Sequence, residues 1–278
     1  MIIFAITFGL ITGSFLNAYE YRKRTKTKNV WHGRSFCPKC KHKLGAMDLF
    51  PVLSYLLLQG RCRYCKKPIS TQYPIVEMVA AALFGLIYWH FFPSNLLNPI
   101  DFSSQDILLK SLGTLAWFYF ASVLILVVIS DLKEMIIPDE VVLPAIVVAF
   151  IYGLIASTLG GLESGYLVSR LGMQLIAGIV GSGFFYSMIV VSKGKWMGGG
   201  DVKLAAFMGF ALGWPLIFIA LLLAFILGSI FGIAIIVLRQ KKFADAIPFG
   251  PFLAAGTVLA ILWGNVVLTW YLDKLILL

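Results

Sequence analysis

Eight apolar runs occupy most of the sequence: residues 2–19, 75–92, 107–130, 140–159, 168–192, 202–213, 215–238 and 249–272. A helix needs about 20 apolar residues to cross the hydrocarbon core, and it must pair its own backbone groups because lipid offers no partner. Charged residues make up 13% of the chain, against roughly a quarter in a soluble domain. That is too little charge to coat a water-facing surface. The expected fold is an all-α polytopic membrane protein with about eight transmembrane helices. The sixth run is short, and Gly213-Trp214-Pro215 turns it directly into the seventh. Such a segment is tolerated where other helices surround it or where it lines a wet cavity. The first run leads into Arg22-Lys23-Arg24 with no small-residue cleavage site behind it, as expected of a retained helix.

The net charge of +10 does not point to nucleic acid, because its placement follows membrane topology. If the loop after the first run is cytosolic, the segments 20–74, 131–139, 193–203 and 239–246 share that side. They hold 20 of the 23 lysines and arginines, leaving Lys110, Arg170 and Lys274 elsewhere. Both termini are then expected outside. Asp131, at the end of the third span, and Asp201, at the start of the sixth, fall on the cytosolic side at similar depth.

All four cysteines lie in the cytosolic segment, as Cys37-Pro-Lys-Cys40 and Cys62-Arg-Tyr-Cys65. Two such knuckles present four thiolates to one tetrahedral ion, and a closed four-thiolate zinc site is structural rather than catalytic. Disulfides are disfavoured in a reducing compartment. His32, His42 and His90 are then not needed as ligands. The apolar segment Asp48 to Gly60 either lies at the membrane surface or packs under the zinc site, and a segment this small needs the metal to hold a core.

An acid at the end of an apolar span is a functional hypothesis by default. Asp139, after Pro138, reads as the N-cap of the fourth span. Glu134 and Glu140 sit in loop positions, and Glu77 enters the second span where it could face a polar cavity. Asp201 follows Gly198-Gly199-Gly200, which leave space for close approach and allow positive φ. Read alone, this is either a flexible loop with Asp201 capping the sixth span or part of a site. Two close carboxylates share a proton, so one can act as base on water while the other polarises a peptide carbonyl.

Several motifs occur together, in order, over nearly the whole chain: Gly13-Ser-Phe-Leu-Asn17, the paired CxxC, Phe50-Pro-Val-Leu-Ser54, Gly60-Arg-Cys-Arg, Tyr73-Pro-Ile-Val-Glu77, Ser130-Asp-Leu-Lys-Glu-Met-Ile-Ile-Pro-Asp139, Gly198-Gly-Gly-Asp-Val-Lys203 and Ile247-Pro-Phe-Gly-Pro-Phe252. This set resembles the type IV prepilin peptidases. The resemblance implies a bifunctional enzyme of the bacterial inner membrane. Such an enzyme cleaves the basic leader of prepilins or pseudopilins after a glycine at the cytosolic face, then methylates the new N-terminus, commonly phenylalanine, using S-adenosylmethionine. It implies Asp131 and Asp201 as the catalytic pair, supported by Gly198, Gly200 and Lys203, and Cys37, Cys40, Cys62 and Cys65 as zinc ligands. Methyl transfer is associated in the family with the cytosolic insertion. Gly60, Arg61 and Glu77 are carried over as methyl-donor contacts on resemblance alone, since no S-adenosylmethionine fingerprint is visible. The implied division is a first helix over 1–19, a zinc-knuckle domain over 20–74 and a peptidase domain over 75–278. Ser130 stands where the family usually has an apolar residue, and Lys133-Glu134 is more charged than in many relatives.

A basic leader needs acidic contacts on an otherwise basic face, for which Glu134, Asp139 and Glu140 are candidates. Two other readings compete. Asp131, Asp201 and Lys203 could form an ion or proton relay of a transporter, although no inverted repeat is apparent and both acids sit at one interface. The chain could also be a non-enzymatic assembly factor that docks partners through its zinc domain.

Overall fold

The computed structural model describes residues 1–25, 33–92, 104–159, 164–238 and 247–276. His32 and the basic loop 239–246 lie outside them. The chain forms two compact units, Met1–Leu97 and Asn98–Leu278.

In the first unit, α1 (Ile2–Arg24) packs along α3 (Gln72–Phe91). The contact follows one stripe of α1 at four-residue spacing, Gly9, Gly13 and Asn17. A Cβ on Gly9 would lie 2.6 Å from the Ala80 carbonyl oxygen, and one on Gly13 would lie 2.7 Å from the Glu77 Cα. Small residues let the backbones meet, which is how helices gain contact in lipid. Asn17 completes the stripe: its Nδ2 donates to the Tyr73 carbonyl and its Oδ1 accepts from Gln72 Nε2, both at 3.2 Å. Between the two helices lie a short 3-10 turn, Ala46–Asp48, and α2 (Leu53–Leu57). Met47, Phe50, Leu53, Leu56 and Leu57 are exposed. Of the two expectations for this apolar segment, packing under the cysteines is therefore not what it does.

The second unit contains α4 (Ser104–Glu134), α5 (Asp139–Leu159), α6 (Ser164–Ser192), α7 (Gly199–Leu212), α8 (Leu216–Val237) and α9 (Gly250–Ile276). Among the described residues, seven helices are long and apolar enough to cross a membrane: α1, α3, α4, α5, α6, α8 and α9. The expected sixth span is α7. Its 14 residues reach about 21 Å at ~1.5 Å per residue, short of a bilayer core of about 30 Å.

This short helix is tolerated because protein surrounds it. It packs on α5, α6, α8 and α9, and Leu204, Ala205, Phe207 and Met208 are fully buried. Phe207 meets Phe120 of α4 edge-on at 5.3 Å between ring centres. The start of α7, where Asp201 sits, is thereby fixed among its neighbours.

Candidate active site and metal centre

Asp131 lies in the last turn of α4. The helix stops just after it because Met135 takes a left-handed φ of 52° while its N–H still bonds to the Asp131 carbonyl at 3.0 Å. Pro138 then forbids continuation. Asp131 is 5% exposed. Its Oδ2 accepts the backbone N–H of Gly250, the first residue of α9, at 2.8 Å. A Cβ on Gly250 would stand 2.6 Å from that oxygen. Within the segment Ile247 to Phe252, nothing in the sequence singles out Gly250 for this contact. The available signal, a glycine next to Pro251, marks a helix start.

Asp201 occupies the first turn of α7, after Gly198 in an extended conformation. A backbone hydrogen bond from Gly198 favours its charged form, but burial and then the charge of Asp131 outweigh that, pushing the carboxyl from 3.8 up to about 6. The two acids therefore feel each other. Asp201 lies outside the seven long spans.

The glycine run behaves differently from the expectation. Only Gly200 is needed for close approach, since a Cβ there would be 2.9 Å from the Ile137 side chain, while Gly198 and Gly199 have room. None of the three uses a left-handed φ; the nearest glycine that does is Gly194, at 75°.

Lys203 and Asp139 also correct the sequence reading. Asp139 is the first residue of α5 rather than its cap, and both its oxygens accept from Lys203 Nζ at 2.7 Å. Residues two apart on a helix do not face each other, so Lys203 serves Asp139 rather than Asp201. The pair ties the start of α7 to the start of α5. All three acids proposed to meet a basic leader are exposed, and Asp139 is paired with Lys203.

The four cysteines converge. Their sulfurs lie within 4.8 Å of one another, with Cys37 and Cys65 Sγ 4.0 Å apart. Zinc–sulfur bonds of about 2.3 Å in a tetrahedron imply edges of about 3.8 Å, so the cluster fits zinc with little adjustment. Each knuckle is built alike. Cys37 N–H bonds to the His42 carbonyl and Lys41 N–H to Cys37, as Cys62 N–H does to Lys67 and Lys66 N–H to Cys62. Lys41 and Lys66 take matching left-handed φ values of 60° and 57°. Asp48 braces the second knuckle by accepting from Arg63 and Tyr64. Burial works against its ionisation, but the Gly45 N–H, Tyr64 and Arg63 hold its carboxyl below the usual range. His42 packs against Tyr64 with its ring tilted, His90 meets Phe91 edge-on, and neither belongs to the cluster.

A family model described as the bacterial peptidase A24 N-terminal domain matches residues 7–91, and one described as the type IV leader peptidase family matches residues 118–233. A protein of Aeromonas salmonicida named prepilin leader peptidase/N-methyltransferase is 32% identical, with 97% of this chain and 93% of that protein covered. The chain belongs to the type IV leader peptidase family. Proteins of the same name from Legionella pneumophila and Pseudomonas aeruginosa are 34% and 31% identical, covering 91% and 96% of this chain and 80% and 92% of their own lengths. No solved structure matches. Membership in a leader peptidase family leaves the ion-relay reading without support.

In this leader peptidase, the residues carried over as methyl-donor contacts each make structural contacts within the first unit. Glu77 is buried; its Oε2 accepts the Val52 N–H at 2.7 Å, and Ser14 adds a side-chain hydrogen bond. Val52 has φ 60°, so Glu77 anchors a strained residue. Gly60 has φ 68° in the turn entering the second knuckle, where a Cβ would meet Tyr55 Oη at 2.9 Å. Arg61 is exposed and forms a β-bridge with Pro68. Among the described residues, Arg61 and Glu77 share no hydrogen bond or ion pair.

Proposed function

We propose that this leader peptidase removes the basic leader of prepilins or pseudopilins at the cytosolic face of the bacterial inner membrane and methylates the new N-terminus with S-adenosylmethionine as donor. One observation carries the cleavage half: Asp131 and Asp201, 70 residues apart in sequence, come close enough within the second unit that burial and then the Asp131 charge raise the Asp201 carboxyl. A pair in which one carboxyl keeps its proton and the other does not has the acid and the base that peptide hydrolysis needs. The methylation half rests on the names of the relatives.

The distribution of lysine and arginine supports a topology with the cysteine cluster and both aspartates cytosolic and the termini outside. In that arrangement 1–19 is the first transmembrane helix, 20–74 the zinc domain linked to methylation, and 75–278 the peptidase domain. Zinc in the four-thiolate site is structural. Gly198 and Gly200 support the pair by holding the start of α7, and Lys203 supports it through Asp139. A prepilin's apolar helix enters laterally from the bilayer, which brings its leader junction to the depth of the two acids, with the exposed Glu134, Asp139 and Glu140 on the side of the basic leader.

The test is incubation of detergent-solubilised protein with a prepilin and methyl-labelled S-adenosylmethionine. A shortened product carrying the label is expected. An unshortened pilin would refute the peptidase reading, and a shortened but unlabelled one would refute the transferase reading.

A further inference from the structure

We infer that Gly250, at the first turn of α9, is a positioning residue that fixes Asp131 as the base of the pair and leaves Asp201 as the acid. This rests on the peptidase reading above. The two carboxyls are not equivalent. Asp131 Oδ2 accepts the Gly250 N–H at 2.8 Å in a buried setting, while its Oδ1 accepts no hydrogen bond from any described residue. One oxygen is held by a backbone donor and the other is not engaged by any described protein donor. Asp201 has the Gly198 backbone hydrogen bond instead, outside the body of a neighbouring helix.

Three features of Gly250 act together. It is the donor. It is the first residue of a 27-residue helix, so its N–H belongs to the positive end of the helix dipole, which favours a negative charge there. It also has no Cβ, and any Cβ would enter the space of Oδ2 at 2.6 Å and of the carboxyl carbon at 3.1 Å. An N–H aimed at a carboxylate oxygen favours the ionised form. Burial and then the Asp131 charge raise the Asp201 carboxyl to about 6, so below that pH it is Asp201 that carries the proton.

The reaction then balances without any other reagent. Asp131 Oδ1 takes a proton from water as the water oxygen bonds to the scissile carbonyl carbon, and Asp201 gives its proton to the carbonyl oxygen, forming a gem-diol. Asp131 next gives its proton to the amide nitrogen as the carbon–nitrogen bond breaks. Asp201 takes one back from a diol hydroxyl, leaving a carboxyl on the leader, a free amine on the pilin, and both aspartates as they began.

The test compares Gly250→Ala with Gly183→Ala, a helix glycine with nothing within 4 Å of an added Cβ, and with Asp131→Asn. Loss of cleavage in Asp131→Asn establishes the underlying reading. Gly250→Ala should then lower kcat on the order of 100-fold, the scale of a misplaced catalytic group, with KM unchanged. The acidic limb of its pH profile should move to higher pH, because the base has lost the donor that favours its ionised form. Methylation of an already cleaved pilin should persist, and Gly183→Ala should behave as wild type. Full cleavage by Gly250→Ala, or a lowered kcat with an unmoved pH profile, would overturn the proposal.

A second measurement leaves residue 250 unchanged, in case the alanine variant does not fold. Labelling with carbonyl-¹³C phenylalanine and ¹⁵N glycine isolates four Phe–Gly amides, at Gly9, Gly85, Gly232 and Gly250. The Gly250 amide proton should lie downfield and move upfield in Asp131→Asn. A Gly250 signal indifferent to Asp131→Asn would overturn the proposal on its own.

Discussion

Asp201 carries a cost that its chemistry explains. Its carboxyl titrates at about 6 in the folded protein against 3.8 ordinarily. A raised carboxyl contributes stability that is present below the ordinary value and lost as pH rises through the folded one. At neutral pH and above, wild-type protein therefore holds a charge that burial and Asp131 oppose. Asp201→Asn removes that charge at nearly constant shape. The variant should unfold at a higher temperature than wild type above about pH 7, and the difference should vanish near about pH 4. Thermal unfolding in detergent at the two pH values checks this, and an equal or lower midpoint for the variant at high pH would contradict it. Active sites commonly hold groups in such unfavourable states.

At the scale of elements, the site depends on how closely α7 approaches α6. Their crossing is lined with small residues. A Cβ on Gly181 would be 3.1 Å from the Ala205 carbonyl, one on Gly178 would be 2.8 Å from the Phe210 ring, and one on Gly209 would overlap the Ala177 backbone. The obstacle at Gly209 is backbone, which cannot rotate away, so Gly209→Ala should destabilise by about 1–3 kcal/mol. Gly172→Ala in α6, with nothing within 4 Å, should be neutral or slightly stabilising, since alanine is the better helix former by about 1 kcal/mol. Unfolding midpoints of the two variants should move in opposite directions or differ clearly. Equal midpoints would show that α6 and α7 do not meet there.

Elements were also where sequence reading succeeded and failed. The long helices were legible because hydropathy is a local property, and the cysteine knuckles because CxxC places two thiolates within one turn. The short α7 was marked by its length and by Gly213-Trp214-Pro215. The pairings that fix the site were not legible, because they join distant residues: Asp131 with Gly250 across 119 positions, and Asp139 with Lys203 across 64. Lys203 reads from its spacing as a companion of Asp201, and Gly250 as one residue of the segment Ile247 to Phe252 with no role of its own. The left-handed Val52, Lys41 and Lys66 carry no sequence mark at all, since glycine is the usual sign of that conformation.

At the scale of the molecule, two compact units divide the features. The first holds the cysteine cluster and the buried Glu77 anchor. The second holds both aspartates, each at the end of a helix, with α9 presenting Gly250 to one of them. Peptide cleavage by the aspartate pair is the central claim, and mass spectrometry of the pilin N-terminus tests it most directly. Wild-type protein should yield a pilin without its leader and with one added methyl group. Asp131→Asn and Asp201→Asn should each leave the precursor intact, while each still methylates a pilin supplied without its leader. A shortened pilin from either variant would contradict the account.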